Sequence, residues 1–246
     1  MKTIVSIGGG SIKEKTTLKI DEYIASLAKD RAGDKRAYGL FIGTASHDFM
    51  PQFNSFRKIY TSHFDIKADC LLTVNMDTPP EKIVEKFSKA DLIYVGGGDT
   101  VFMLEKWREK GIIDKIIDAY NRGVIICGLS AGAICWFEDM YTDSATATGG
   151  SQDYAFYKGL GVLNGLACPH YNLRKEEFDF SLKNSEFLSA YAIEDNSAIV
   201  FIDGKFNKSI SVDGNSYLIT NGKGEISHTL LKWNLGWLKF IIMVIL

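Results

Sequence analysis

The sequence is short of the residues that staple or punctuate small folds. It has only four cysteines and four prolines in 246 residues. No two cysteines form a C-x-x-C pair, and no histidine stands at zinc-finger spacing from one. A disulfide framework needs a short chain dense in cysteine, so that class is excluded. We read Cys70, Cys127, Cys135 and Cys168 as reduced thiols of a cytoplasmic protein. No H-E-x-x-H or other metal spacing occurs, so no metal and no cofactor is implied. The sequence also lacks a surplus of either charge. Lys plus Arg is 28 and Asp plus Glu is 30, a net charge of -2. A nucleic-acid binder normally shows a basic surplus or stripe, so nucleic acid is not an expected partner. No apolar run reaches the ~20 residues of a membrane span. The longest is the tail Leu235–Leu246, which also lacks the basic face of an interfacial anchor. It is expected to dock on the core or on a second copy in a homodimer. The apolar run at the N-terminus, Thr3–Ile7, is too short for a secretory signal and reads as a first strand.

What is present is ordinary globular composition, with 46% apolar and 24% charged residues. One domain over residues 1–246 is expected, with 235–246 as its apolar tail. The first half alternates strand-like and helix-like segments. Strands are expected at Thr3–Ile7, Ala37–Ile42, Cys70–Val74, Leu92–Val95 and Val124–Cys127. Helical spacing covers Thr17–Lys29, Phe53–His63, a segment opening at Pro79-Pro80-Glu81, Thr100–Lys110 and Ile112–Asn121. This alternation predicts an α/β three-layer sandwich, a mainly parallel sheet with helices on both faces. After Ala131 the pattern changes. Ser144–Gly150 reads as a loop or hairpin and Arg174–Ser189 as a helix. Ala198–Ile202, Ser209–Val212 and Tyr217–Thr220 are strand-like. Asp203-Gly204, Asp213-Gly214 and Asn221-Gly222 separate or follow them as hairpin turns, so the C-terminal strands are expected to be antiparallel.

The strongest chemical signal is Gly128-Leu129-Ser130-Ala131-Gly132. It is G-x-S-x-G directly after a buried strand and before a helical segment. A strand turning sharply into a helix crowds its neighbours unless they lack side chains, and it holds the central serine out above the sheet. Ser130 is the candidate nucleophile, and the Ala131 N–H is placed to stabilise an oxyanion. A serine needs a base. His170, in Ala167-Cys168-Pro169-His170-Tyr171, follows an apolar stretch and suits an active-site rim. His228 reads as an exposed strand residue, and His47 and His63 have no neighbours that suggest a base. A carboxylate should orient the base. Glu194 and Asp195 follow a short apolar strand, and either fits; Asp143 and Glu138 are further candidates. A second glycine cluster, Gly96-Gly97-Gly98-Asp99-Thr100, lets the backbone approach a ligand, and the Gly98 N–H is a second oxyanion donor. It is not a phosphate loop, since G-x-x-x-x-G-K-[ST] is absent. Gly8-Gly9-Gly10-Ser11 lacks the third glycine of a dinucleotide fingerprint.

These pieces together resemble the peptidase E family of serine peptidases, the aspartyl dipeptidase and cyanophycinase group. The resemblance rests on Ile4–Ser11, Leu92–Thr100, Gly128–Ala133, Pro169-His170 and Ile193–Ile199, in that order. It implies a fold like that of class I glutamine amidotransferases, with serine in place of their cysteine. It implies Ser130 as nucleophile, His170 as base, and Gly98 and Ala131 as oxyanion donors. For the acid, the family pattern falls on Glu194 or Asp195, with Asp143 behind them. It further implies short peptides as substrates, with N-terminal Asp as a candidate preference. Asp99 and Arg174 would then contact the substrate, Arg174 through its carboxylate. The helix after His170 starts sooner than in aspartyl dipeptidases, which weakens that last carry-over. Two other readings compete. One is an esterase of the α/β-hydrolase type using Ser130, Asp195 and His228, whose chain order is serine, acid, histidine. The other is a catalytically silent binding protein.

Overall fold

The computed structural model describes residues 1–246 except 77, 145–148, 151–152, 223–224 and 233–246. The apolar tail expected at Leu235–Leu246 therefore lies outside the described residues, as does most of the Ser144–Gly150 loop.

Five strands of the first half lie parallel: β1 (Thr3–Ile7), β2 (Tyr38–Ile42), β3 (Lys67–Leu71), β4 (Leu92–Val95) and β5 (Ile125–Leu129). In the second half come β6 (Phe137–Thr142), β7 (Ala155–Lys158), β8 (Leu163–Pro169), β9 (Ser189–Ile193), β10 (Ser197–Ile202), β11 (Lys205–Ser211), β12 (Ser216–Gly222) and β13 (Glu225–Leu230). The first sheet has seven strands in the order β11-β10-β1-β5-β4-β2-β3. Its other two strands are antiparallel additions: β10 pairs antiparallel with β1, and β11 antiparallel with β10. A second, six-stranded sheet has the order β13-β12-β9-β8-β6-β7. It mixes parallel pairs (β6 with β8, β8 with β9) and antiparallel ones.

Strand periodicity explains why the first sheet is covered on both sides. Alternate residues point to opposite faces. Ile4, Leu40, Ile93 and Ile126 enter one core cluster, and Val5, Phe41, Tyr94 and Ile125 enter the other. Helices α1 (Leu18–Ala32) and α2 (Met50–Ser62) pack on the second cluster through Ile20, Ile24, Phe53 and Phe56. Of the next three, α3 (Pro80–Lys89), α4 (Thr100–Glu109) and α5 (Ile112–Asn121), the last two bring Trp107 and Ile116 to the first. That cluster continues through Trp136, Phe137 and Leu163 to the second sheet. One turn of helix, α6 (Ala131–Ile134), and the longer α7 (Tyr171–Lys183) complete the described helices.

Two expectations shift. The third strand is Lys67–Leu71, not Cys70–Val74. It is the edge strand, so polar residues are tolerated there, and Asp69 pairs with Lys86 at 2.5 Å. The apolar run that follows leaves the sheet because Asp48 captures its backbone: the N–H groups of Thr73, Val74 and Asn75 all donate to Asp48 Oδ2. The helix after His170 is Tyr171–Lys183, beginning earlier than Arg174 and ending before the strand at Ser189. Among the described residues no helix is long and apolar enough to cross a membrane.

Candidate active site

The parallel strands end on one edge, where ligands of such sheets bind. The site is built there. Ser130 follows β5 with φ 55° and ψ -111°, a left-handed strain for a residue with a side chain. The glycines around it are demanded by contact. A Cβ on Gly128 would lie 2.2 Å from the Gly132 carbonyl oxygen, and one on Gly132 would lie 2.3 Å from that of Val95. The turn is thus closed against itself and against β4. The helix after it is shorter than the motif suggests, four residues.

His170 stands between β8 and α7, also at positive φ, 51°. Its Nε2 lies 2.8 Å from Ser130 Oγ, and its Nδ1 lies 2.6 Å from Asp195 Oδ1. An ionised carboxylate only accepts hydrogen bonds, so Nδ1 carries the proton and Nε2 is left to accept from the Ser130 hydroxyl. Asp195 is itself held twice by Asn172. Asn172 Nδ2 donates to Asp195 Oδ2 at 3.2 Å, and the Asp195 N–H donates to Asn172 Oδ1 at 2.9 Å. Asn172 has no sequence signal of its own; it lies two residues after the histidine on the first turn of α7.

Three segments far apart in sequence meet here, and the first glycine cluster joins them. The Ser130 N–H donates to the Ile7 carbonyl at 2.9 Å, and the His170 N–H to the Gly8 carbonyl at 3.1 Å. The Asn196 N–H, next to Asp195, donates to the Gly9 carbonyl at 3.1 Å. Gly9 has no room for a side chain: a Cβ would sit 1.8 Å from Asp195 Oδ1 and 2.4 Å from His170 Nδ1. So the carbonyls of Ile7, Gly8 and Gly9 serve the site as a backbone clamp. The other glycine cluster lies on the opposite side, where a Cβ on Gly97 would come within 3.2 Å of Ser130 Cβ.

The remaining candidates are placed elsewhere. Glu194 turns away from His170, and its Oε2 accepts from the Asn215 N–H at 2.8 Å. Asp143 pairs with Arg174 at 3.2 Å. The Arg174 guanidinium also donates to the Tyr141 carbonyl and lies over the Tyr154 ring, 4.6 Å from its centroid. It is 9% exposed, engaged by protein on every side named. Asp99 caps α4, accepting from the Phe102 N–H at 3.0 Å, and Ser144 Oγ donates to the same oxygen. Glu138 Oε2 accepts from the Gly165 N–H at 2.8 Å. His228 lies on β13 with its Nε2 2.9 Å from Asp179 Oδ2. Burial and the hydrogen bond to Asp179 push the Tyr171 phenol up from its usual value. Burial likewise pushes up the thiols of Cys127, Cys135 and Cys168, which keeps them protonated and poor nucleophiles. Among the described residues no three His, Cys, Asp or Glu side chains cluster as a metal site.

Beside Ser130 opens a cleft of ≈ 280 Å³. It is lined by Gly97 and Leu129, by the Gly10–Lys13 loop and by the start of α2.

Comparison with known proteins agrees with this architecture. The model of peptidase family S51 matches residues 4–209. A peptidase of Bacillus subtilis (strain 168), YgaJ, is 34% identical over 217 residues, covering 86% of this chain and 88% of that protein. Peptidase E of Salmonella arizonae is 42% identical over 95 residues, 37% of this chain and 41% of its own length. The crystal structure of a peptidase from an acI-B1 actinobacterium superposes with a TM-score of 0.71 at 17% identity, covering 95% of both chains. With a family match across most of its length and a relative aligned nearly end to end, the chain is a peptidase that belongs to family S51.

Proposed function

We propose that the chain is a serine peptidase that cleaves short peptides through an acyl-enzyme on Ser130. The observation that carries this is the unbroken chain Ser130 Oγ, His170 Nε2, His170 Nδ1, Asp195 Oδ1, with links of 2.8 and 2.6 Å. Ser130 Oγ attacks the scissile carbonyl carbon while its proton passes to His170 Nε2. The carbonyl π pair moves onto oxygen. Asp195 stabilises the imidazolium and holds the ring tautomer. The N–H groups of Gly98 and Ala131 are the proposed oxyanion donors, from the two turns that flank Ser130. Collapse expels the amine, which takes the proton from Nε2 and leaves an ester on Ser130. Water then attacks the ester and gives its proton to His170; the bond to Ser130 Oγ breaks as His170 returns that proton to Oγ, and the acid product leaves.

Asp195, rather than Glu194 or Asp143, is the proposed acid, because it alone of the three meets His170 at hydrogen-bond distance. The esterase reading with His228 has no such support, since that ring is turned to Asp179. A role for Arg174 in reading a substrate carboxylate also lacks support, because Asp143 and Tyr154 already occupy the guanidinium.

The test has two arms. A fluorophosphonate should label Ser130 in the folded protein, and mass spectrometry should find the adduct there. Ser130→Ala should cut kcat/KM on a dipeptide library by about 10⁴-fold or more. Normal turnover by Ser130→Ala refutes the reading, and a folded protein that resists the label favours a silent binding role.

A further inference from the structure

The cleft beside Ser130 is lined for an apolar side chain. Phe41 and Tyr94, stacked at 6.0 Å and both buried, lie at its base. Leu129, Pro51 and the half-exposed Phe49 also line it. Tyr94 Oη has no hydrogen-bond partner among the described residues but is fully covered and does not reach the cleft surface. The side-chain polar groups of Gln52, Ser55 and Ser11 are engaged by protein. Gln52 Oε1 accepts from Ser46 Oγ at 3.1 Å, and Gln52 Nε2 donates to the Gly97 carbonyl at 3.4 Å. Ser55 Oγ donates to the Pro51 carbonyl at 2.9 Å, and Ser11 Oγ accepts from the Glu14 N–H at 3.1 Å. The one charged lining residue is Lys13, whose side chain is 79% exposed and 3.5 Å from Glu14. Its ammonium is a mouth group in water rather than a buried anchor, and an exposed pair of this kind contributes little. Removing an apolar side chain from water is favourable, whereas an ionised carboxylate entering such a cleft loses its hydration with no buried partner to replace it.

Gly97 and Leu129 line the cleft and both adjoin Ser130, so the cleft lies next to the proposed nucleophile. We propose that this cleft receives the side chain of the residue that supplies the attacked carbonyl, and that it selects a large apolar residue such as Leu, Met or Phe over Asp. This rests on Ser130 being the nucleophile, as proposed above.

Boronic acids test both levels at once. Boron takes the place of the attacked carbonyl carbon, accepts a bond from Ser130 Oγ, and carries the amino-acid side chain on the adjacent carbon. The measurement is protection of Ser130 against fluorophosphonate labelling by the boronic analogues of leucine and of aspartate. The leucine analogue should protect at a concentration at least about tenfold lower, the scale on which one apolar pocket discriminates. Equal protection, or better protection by the aspartate analogue, overturns the apolar cleft and leaves the serine reading standing. Absence of labelling in folded protein removes the serine reading and the cleft's role with it. Phe49→Arg, at a half-exposed wall position that tolerates charge, should narrow the ratio by about tenfold through a new cation for the carboxylate. A ratio unmoved by that charge places the side chain elsewhere and also overturns the proposal.

Discussion

Among the described residues two histidine–aspartate pairs occur, and they differ in what lies beyond the ring. His170 and Asp195 are 2.6 Å apart, and His228 and Asp179 are 2.9 Å apart. Their side-chain exposures are similar, 24% and 26% against 31% and 21%. A paired imidazole is therefore no sign of chemistry by itself. The free nitrogen of His170 meets a strained serine at a strand end. The carboxylate of the other pair instead serves a phenol, since Tyr171 Oη donates to Asp179 Oδ1 at 2.9 Å. The strained turn, not the histidine, distinguishes the two.

That contrast can be broken by mutation. His170→Ala should lower kcat/KM by about 10⁴-fold or more, read in steady-state peptide hydrolysis, because under the proposed mechanism the serine loses its base. Asp195→Asn should keep the geometry but favour the wrong ring tautomer, for a loss approaching ~10⁴-fold in kcat. Its partner Asn172 gives a smaller handle. Asn172→Ala should cost about tenfold in kcat, since a loosened Asp195 misorients the base, with unfolding midpoints little moved. His228→Ala should leave kcat/KM within about twofold, and urea unfolding should register at most ~1 kcal/mol for the lost half-exposed pair. A larger drop in activity would erase the distinction between the two pairs.

A carboxylate with no histidine sharpens the contrast from the other side. Asp21 is buried, with Thr17 and Tyr60 hydroxyls as partners, and burial raises its pKa from 3.8 to about 7. The folded protein thus holds this proton more tightly than the unfolded chain. Stability should be greatest below pH 4 as far as this group is concerned, and should fall as pH rises from about 4 to about 7. Asp21→Asn should flatten that slope in urea midpoints measured across the window, with no change in the pH profile of kcat.

The sequence pattern conveyed the central strands of the first sheet well, because β1, β2, β4, β5 and β10 are apolar on both faces, while its polar edge strands β3 and β11 were displaced or only partly read. The second sheet was legible only in part: Tyr217–Thr220 falls within β12 and the apolar strand before Glu194 is β9, whereas β6 and β7 gave no signal. Phe137–Thr142 contains Glu138 and Asp139, and Ala155–Lys158 is only four residues long. Such strands gain their order from neighbours distant in sequence, as β8 does by lying between β6 and β9. At the site, Ser130 and His170 stood out by local context. The choice between Glu194 and Asp195 did not, because adjacent residues point opposite ways and only the register of the chain against Gly9 fixes which one faces inward. The roles of Asn172 and of the first glycine cluster were hidden for the same reason. Neither carries reactive chemistry, and both act through contacts with remote segments.

The backbone clamp of Ile7, Gly8 and Gly9 has a consequence for how the enzyme fails. Three successive carbonyls at the end of β1 fix the serine, the histidine and the residue beside the aspartate. β1 lies between β5 and β10 inside the first sheet, not at an edge. The proposed triad therefore has a foundation that melts only when the sheet does. On heating, activity and native structure should disappear at one temperature, with no range in which a folded protein has already lost its alignment.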